Sequence, residues 1–586
     1  MKLKYFLSSL LLAGGLCMTS CDDFFDPETE DSLNGDKYMS SLTEMSTGYL
    51  GVLTKMQAVG DKAIYLTDTR GDLLEPTEQS TNQLIALYNY DDDLSGNSYA
   101  DPAPYYDLVI ACNDYIAKLL SFKKEYPEIV AETKYFEGLI ASALRVKVWT
   151  YLTIAEIYGQ ALWFNDPILK IEDLTDTNKF NLLSLEQTID ACIDIMENGY
   201  EGYAADVTFS WIEWLDPSNV SNIANSAYRY WDTMTPPYAG LQAKCYLWKG
   251  AFLDSRGEMA SHYYAAVAHN MLAELDYSFT GNIRYWSRTS YTTSHFASFW
   301  DYSNPYGEEC ISAIIYDYTK SQTNQILKHF SDEYPNKYWL RPAEVSRLRW
   351  TEESFNPGSS ATGDNRGKVS VKQHGANYYI AKYRPVGSSQ RVNPYQDDCH
   401  IYTFRGGDYL FMLYEALNHS QRFVAASGIL NSGVNTSAGS IVEVVTNDSC
   451  DAAIRQEWQG FTHNWTANLA DGSTNKYYYN GIRGCFGLAA CTLKTDVSTP
   501  EKTVATMQHN DSILANEFML EFAAEGKVYP ALIRNAIRYN DPTIISSRVT
   551  PKYEAAKASE VEAKILGVNP ITGLPGYFVP WDLRIR

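Results

Sequence analysis

FEGLIASALRVKVWTYLTIAEIYGQAL, residues 136–162, decides how the chain is read. Phe136, Leu139, Ala143, Leu144, Val148, Tyr151, Leu152, Ala155 and Tyr158 recur every three or four positions, which lines one face of a long helix with apolar side chains. The same period appears on either side. Val109, Cys112, Ile116, Leu119 and Leu120 form a stripe before it. Leu241, Cys245, Trp248 and Phe252 form another after it, followed by Tyr263, Val267, Met271 and Leu272. Leu410, Leu413, Tyr414 and Leu417 come later, then Leu514, Phe518 and Phe522. The stripes fall in adjacent pairs, 103–124 with 130–159 and 238–254 with 259–275. Paired helices, each with one apolar face, predict a mainly all-α fold built on a tetratricopeptide-like α-solenoid scaffold, although the 34-residue consensus of that repeat does not fit.

Between the helices run 65–102, 203–236, 276–306, 330–404 and 459–510, rich in Tyr, Asn, Ser, Gly and Asp. Connections of this length without periodicity are functional surface or disorder, and the aromatic content argues against disorder. Ile311–Tyr316, ISAIIY, reads as a short strand. The expected architecture is therefore a helical scaffold with long irregular loops and a few short strands.

The N-terminus reads as an export signal. Lys2 and Lys4 precede an apolar run from Tyr5 to Leu16, too short to span a bilayer. Met18-Thr19-Ser20-Cys21 then places an apolar residue and two small residues before a cysteine, the pattern of a bacterial lipobox that makes Cys21 an acylated N-terminus. The plainer reading is a soluble exported protein with Cys21 merely near the cut. The division that follows is 1–20 lipoprotein signal peptide, 21–40 lipidated linker and 41–586 a single helical domain. Two or three acyl chains, at about 0.8 kcal/mol per buried methylene, hold a protein durably on a membrane.

Removing the signal leaves 46 basic against 71 acidic side chains, a balance of −25. That argues against nucleic acid and against docking on anionic lipid, since both need Lys and Arg; a neutral ligand suits it better. The cysteines beyond Cys17 and Cys21 show no CxxC pair, only Cys485 and Cys491 among them lie close enough in sequence to bridge, and buried free thiols are the default reading. The 45 tyrosines and 13 tryptophans are the unusual numbers. Those left at the surface would offer flat faces to sugar C–H surfaces.

Several segments together resemble the SusD/RagB family, surface glycan-binding lipoproteins of starch-utilisation-type systems. They are the opening Cys21-Asp22-Asp23-Phe24-Phe25-Asp26, YDLVIACN at 106–113, Ala143–Leu162, LQAKCYLW at 241–248, Glu309–Tyr316, RGGDYLFMLYEALN at 405–418, Glu521–Arg534 and Gly573–Trp581. They occur in the family's order along essentially the whole chain. Gln160, Ala161, Gly407, Lys527 and Ala531 depart from its pattern, all in scaffold segments. The resemblance implies a tetratricopeptide-like scaffold, no catalytic activity, no cofactor, and a glycan ligand passed to a SusC-like TonB-dependent outer-membrane transporter. It places the protein on the outer membrane, lipid-anchored and facing the exterior. It also implies that ligand contacts come from loops that fall here at 65–102 and roughly 285–350. Candidates in the first are Arg70, Asp72, Tyr90 and Tyr99, and in the second Trp286, Tyr291, Trp300, Tyr338 and Trp339. The rings would stack, while Arg70 and Asp72 would bond sugar hydroxyls; ordinary loop packing is the alternative for each. A surface peptide binder of the same fold, suited by its acidity to basic peptides, is the second functional reading.

Enzyme chemistry is the third. A glycosidase needs two carboxyls roughly 5–10 Å apart across a cleft, one with a raised pKa. Glu517, Glu521 and Glu525 share a helical face, but with Arg534 nearby they read as a structural ion network. Asp408 reads as the cap of the helix it opens. Asp91-Asp92-Asp93 could assist calcium but is more simply a solvated acidic loop. No HExxH, G-x-S-x-G, P-loop or dinucleotide fingerprint is present.

Overall fold

The computed structural model describes residues 39, 41–130, 133–168, 173, 177–280, 291–301, 309–353, 363–383, 396–431 and 481–584. Cys21 and Trp286 lie outside the described residues. The principal helices are α1 Leu42–Gln57, α2 Lys62–Arg70, α3 Ala103–Glu125, α4 Thr133–Tyr158, α5 Leu185–Asn198, α6 Tyr238–Ser255, α7 Ser261–Thr280, α8 Gly406–His419, α9 Pro500–Phe522, α10 Val528–Arg538 and α11 Ala555–Leu566. Both predicted pairs are present, as α3 with α4 and α6 with α7. Apart from α2, each helix from α1 to α10 packs on the next, and α10 returns onto α6. This is the neighbour-on-neighbour stacking that one-sided apolar helices require. Among the described residues no helix is long and apolar enough to cross a membrane.

Local sequence explains where the helices begin and end. Ser41 accepts from Glu44 N, Ser184 and Gln187 form a reciprocal capping box, and Thr499 with Pro500 opens α9. Asp408 caps α8 as read from the sequence, its Oδ2 accepting from Arg405 N at 2.8 Å. Helix α4 is the centre of the molecule: from Gly138 to Tyr158 only Trp149 is partly exposed. Its polar residues are accordingly paired, Glu156 accepting from Trp248 Nε1 and Lys244 Nζ, both at 2.8 Å. Gly159 ends the helix at φ +73°, where a Cβ would also strike the Phe578 ring at 2.6 Å.

The segments read as loops carry more structure than periodicity revealed. Helix α2 lies in one of them with Ile64 to Arg70 all buried, so it shows no polar stripe to read. Among the described residues, four antiparallel two-stranded ribbons fasten stretches of chain between the helices. Leu74–Pro76 pairs with Leu340–Pro342, Gln160–Trp163 with Asn181–Ser184, Cys310–Ile314 with Ile401–Arg405, and Val371–His374 with Asn377–Ile380. The strand read at 311–316 is thus real and starts one residue earlier. Cys485 and Cys491 do not bridge, and every cysteine among the described residues is a free thiol.

One buried ion network ties these ribbons to the helices. Arg405 donates to Glu521 Oε1 at 2.8 Å, Glu525 Oε2 at 2.9 Å and Glu309 Oε2 at 3.3 Å. Arg366 reaches Asp364, Glu517 and Glu521; Lys382 reaches Glu525; Arg483 reaches Glu517 and Glu353. The three glutamates do join a structural ion network, but Glu525 lies beyond the end of α9 at Phe522, and their partner is not Arg534, which lies against Glu415 at 2.6 Å. The sequence could not choose between arginines that only the fold brings near.

Removing one member strands the others without compensation. Arg405→Met is expected to cost on the order of 3–5 kcal/mol, read as a lowered urea midpoint. Burial opposes ionisation of Glu525, yet Arg405, Lys382 and Lys527 prevail and hold its carboxyl down to about 2. A depressed carboxylate contributes stability that is present above the unfolded value of roughly 4.3 and lost as pH falls through the folded one. Denaturation midpoints are therefore expected to hold down to about pH 4.5 and fall between there and pH 2, with the Glu525→Gln variant showing a shallower fall.

Candidate binding site

The two loop regions singled out from the sequence meet. Strand Leu74–Pro76 lies along Leu340–Pro342, with Glu75 opposite Arg341 and their side chains joined at 2.7 Å. Just beyond the strand, Thr77 N and Ser80 Oγ both donate to Trp339 O, at 3.0 and 2.6 Å, and Thr77 Oγ1 donates to Tyr338 O at 2.5 Å. Residues some 260 positions apart are thereby fixed in one seam.

Four rings gather there. Tyr65, from α2, stacks on His329 at 4.0 Å, and its hydroxyl donates to Asp61 Oδ2 at 2.9 Å. Tyr99 and Trp339 approach His329 edge-on, at 5.6 and 4.9 Å, and both are half-buried. His329 Nδ1 lies 2.7 Å from Gln325 O, which can only accept, so Nδ1 carries the proton. Nε2 is then the acceptor, and Tyr99 donates to it at 2.8 Å. Burial pushes the imidazole down to about 3, so it is neutral across the physiological range. Burial, with help from Asp61, raises the Tyr99 phenol to about 12. Lys328 Nζ lies 5.0 Å over the Trp339 ring, and Tyr334, on the segment joining His329 to Trp339, is 85% exposed. The seam thus offers Tyr99 and Trp339 as partly exposed rings, held by a histidine that does not change charge, with the exposed Tyr334 on the adjoining segment.

The remaining candidates sit deeper. Arg70 is enclosed, its guanidinium 3.9 Å over the Tyr90 ring and its Nη2 donating to Gly576 O and Phe578 O at 2.7 and 3.0 Å. It holds the C-terminal segment against α2. Tyr90 is buried at φ +56°, its hydroxyl donating to Arg70 O and 3.0 Å from that of Tyr529. Asp72 is fully buried between Arg349 and Arg548; burial opposes its charge, but the two arginines prevail and keep the carboxyl below its usual value. Tyr291 is buried and donates to Glu309 at 3.0 Å, and Trp300 is buried with Lys382 Nζ 4.5 Å over its ring. Tyr338 is buried at φ +50°, donating to Tyr378 O at 2.6 Å. As folded, Arg70, Asp72, Tyr90, Tyr291, Trp300 and Tyr338 offer a ligand almost no side-chain surface, and Trp286 lies outside the described residues. Sequence reading brought Tyr99 and Trp339 to the seam but missed Tyr65, His329 and Tyr334. A lone histidine among loop aromatics carries no signal of its own.

Among the described residues no cluster of His, Cys, Asp or Glu is placed to hold a metal ion. The carboxylates of α9 are engaged by arginines, Glu517 by Arg366 at 2.9 Å and Glu521 by Arg405 at 2.8 Å.

These features define a helical scaffold whose long connections are fastened into a ring-bearing seam, and the chain has the SusD-like fold. No family model and no curated protein matches the sequence. The likeness is to solved structures. A SusD superfamily protein from Bacteroides vulgatus gives a TM-score of 0.56 at 12% identity, covering 89% of this chain and 92% of that one. A SusD homolog from Bacteroides thetaiotaomicron gives 0.56 at 12% identity, covering 94% and 96%. Surface glycan-binding protein A from Bacteroides thetaiotaomicron, solved in complex with laminarihexaose, gives 0.50 at 12% identity over 89% and 96%.

Nitrogen-15 shifts of the His329 ring are expected to report the Nδ1–H tautomer unchanged from pH 5 to 8. Tyr99→Phe leaves Nε2 without its donor and is expected to cost about 1–3 kcal/mol, measured by chemical denaturation.

Proposed function

We propose that this protein captures glycan on the cell surface, presents it on the Tyr99–Trp339 seam, and delivers it to a SusC-like TonB-dependent transporter without acting on it chemically. The observation that carries this reading is the correspondence of fold over most of the chain with surface glycan-binding proteins, one of them solved with laminarihexaose. The seam supports it: half-buried rings lose little freedom on binding, and their flat faces suit sugar C–H surfaces. Acylation of Cys21 anchors the protein to the outer membrane, facing outward, with the residues up to 40 as the tether.

Calorimetry against a panel of neutral and acidic polysaccharides tests the capture. Binding to at least one glycan is expected, weakened about tenfold in Tyr99→Ala and in Trp339→Ala, as loss of a stacking ring implies. Retention of basic peptides with indifference to every glycan would replace this reading with peptide capture. For the anchor, Cys21→Ala is expected to move the protein from the membrane pellet to the soluble fraction and abolish labelling by a palmitate analogue.

A further inference from the structure

Beside the seam lies a pocket whose charge is opposite to that of the chain. It encloses about 390 Å³ between the helix Glu344–Glu352, the turn at Asn365–Ser370 and the ribbon 371–380. That volume falls at the lower end of small-molecule sites, roughly 300–1,000 Å³. It is next to the seam in the fold, since Tyr338 donates to Tyr378 O at 2.6 Å and Leu340–Pro342 packs beside Asn377–Ile380.

Arg347 is the feature without explanation. Its guanidinium carbon lies 3.7 Å over the Tyr378 ring, and its Nε is shut from water with no acceptor. Among the described residues its guanidinium has neither a hydrogen-bond acceptor nor a carboxylate in ion-pair range. The arginines around it are all paired: Arg341 with Glu75, Arg349 with Asp72, Arg366 with Asp364. Lys368 and the exposed Lys372 also line the pocket, while its single carboxylate, Asp364, is already taken by Arg366 at 2.7 Å. Trp350 and Val371 add apolar surface. An arginine pre-oriented on a ring and lacking an acceptor matches the two oxygens of a planar carboxylate.

We propose that this pocket is a carboxylate subsite, taking a uronic-acid residue of the captured glycan through Arg347 and Lys372, with Val371 against its C–H surface. The inference rests on the glycan-capture reading and narrows it to glycans that carry acid residues among neutral ones. A polymer acidic at every unit would be repelled by a chain of formal charge −23, whereas one acid held within a Debye length of about 8 Å sees mainly the local cations.

The probe is free glucuronate, titrated calorimetrically into the full chain, with glucose and inorganic sulfate as comparisons. Glucuronate is expected to bind at least about tenfold tighter than glucose, and Arg347→Met to remove that margin, as loss of a charged hydrogen bond implies. Lys372→Met, an exposed position, is expected to weaken glucuronate about threefold with an unchanged melting curve, which keeps the test open should Arg347→Met fold poorly. No preference for glucuronate over glucose, a preference unaltered in both variants, or equal displacement by sulfate would overturn the proposal. Polysaccharide binding without acid preference would sink the subsite and leave capture standing. Arg347-dependent glucuronate binding with no polysaccharide bound would do the reverse.

Discussion

Arg405 is the point on which the structure hangs. It ends a strand, opens α8, and sends its guanidinium into the interior to meet Glu309, Glu521 and Glu525. Around it, four cations and six carboxylates satisfy one another, all of them buried except the partly exposed Glu353. Such a network adds little net stability over an apolar core, because desolvating the charges cancels most of their attraction. Its effect lies in what it forbids. Any arrangement that slides the ribbons or α9 out of register leaves a buried charge unpaired, so the long connections are held in one place against the helices.

That constraint is what allows a ring-bearing seam to be made from connections. The seam joins residues 74–99 to residues 326–342 through one short ribbon and three hydrogen bonds to the carbonyls of Tyr338 and Trp339. Ribbons this short are marginal alone; here they rest on helices already fixed. His329 sits at the centre as a neutral spacer, donating to Gln325 on one side and accepting from Tyr99 on the other. Tyr99 and Trp339 stay half-buried around it. The adjoining pocket adds cationic character to a surface otherwise dominated by acid.

The scaffold was legible in the sequence, and the site was legible only in outline. The stripes at 109–120, 136–158, 241–252, 263–272, 410–417 and 514–522 all became helices, because burying a continuous apolar face leaves its period in the sequence. Helix α2 was not visible, since it is buried on every side and shows no period. The two loop regions read as candidate binding surface do meet in the fold, through the pairing of Leu74–Pro76 with Leu340–Pro342. Most of the side chains chosen within them, however, serve the fold. Arg70 holds the C-terminal segment, Asp72 neutralises two arginines, and Tyr291 and Trp300 lie beside the Arg405 network.

By itself the sequence determined the helical scaffold, the pairing of its helices and the cap at Asp408. These follow from local rules, the period of apolar residues and the hydrogen-bonding habits of particular side chains, and local rules act over a few residues. Tertiary structure alone decided which arginine meets which glutamate, that Tyr99 finds His329 across 230 positions, and which rings keep an exposed edge. An arginine or a tyrosine serves equally as core or as contact surface. What settles the matter is the set of neighbours brought to it from distant parts of the chain, and no short stretch of sequence contains them.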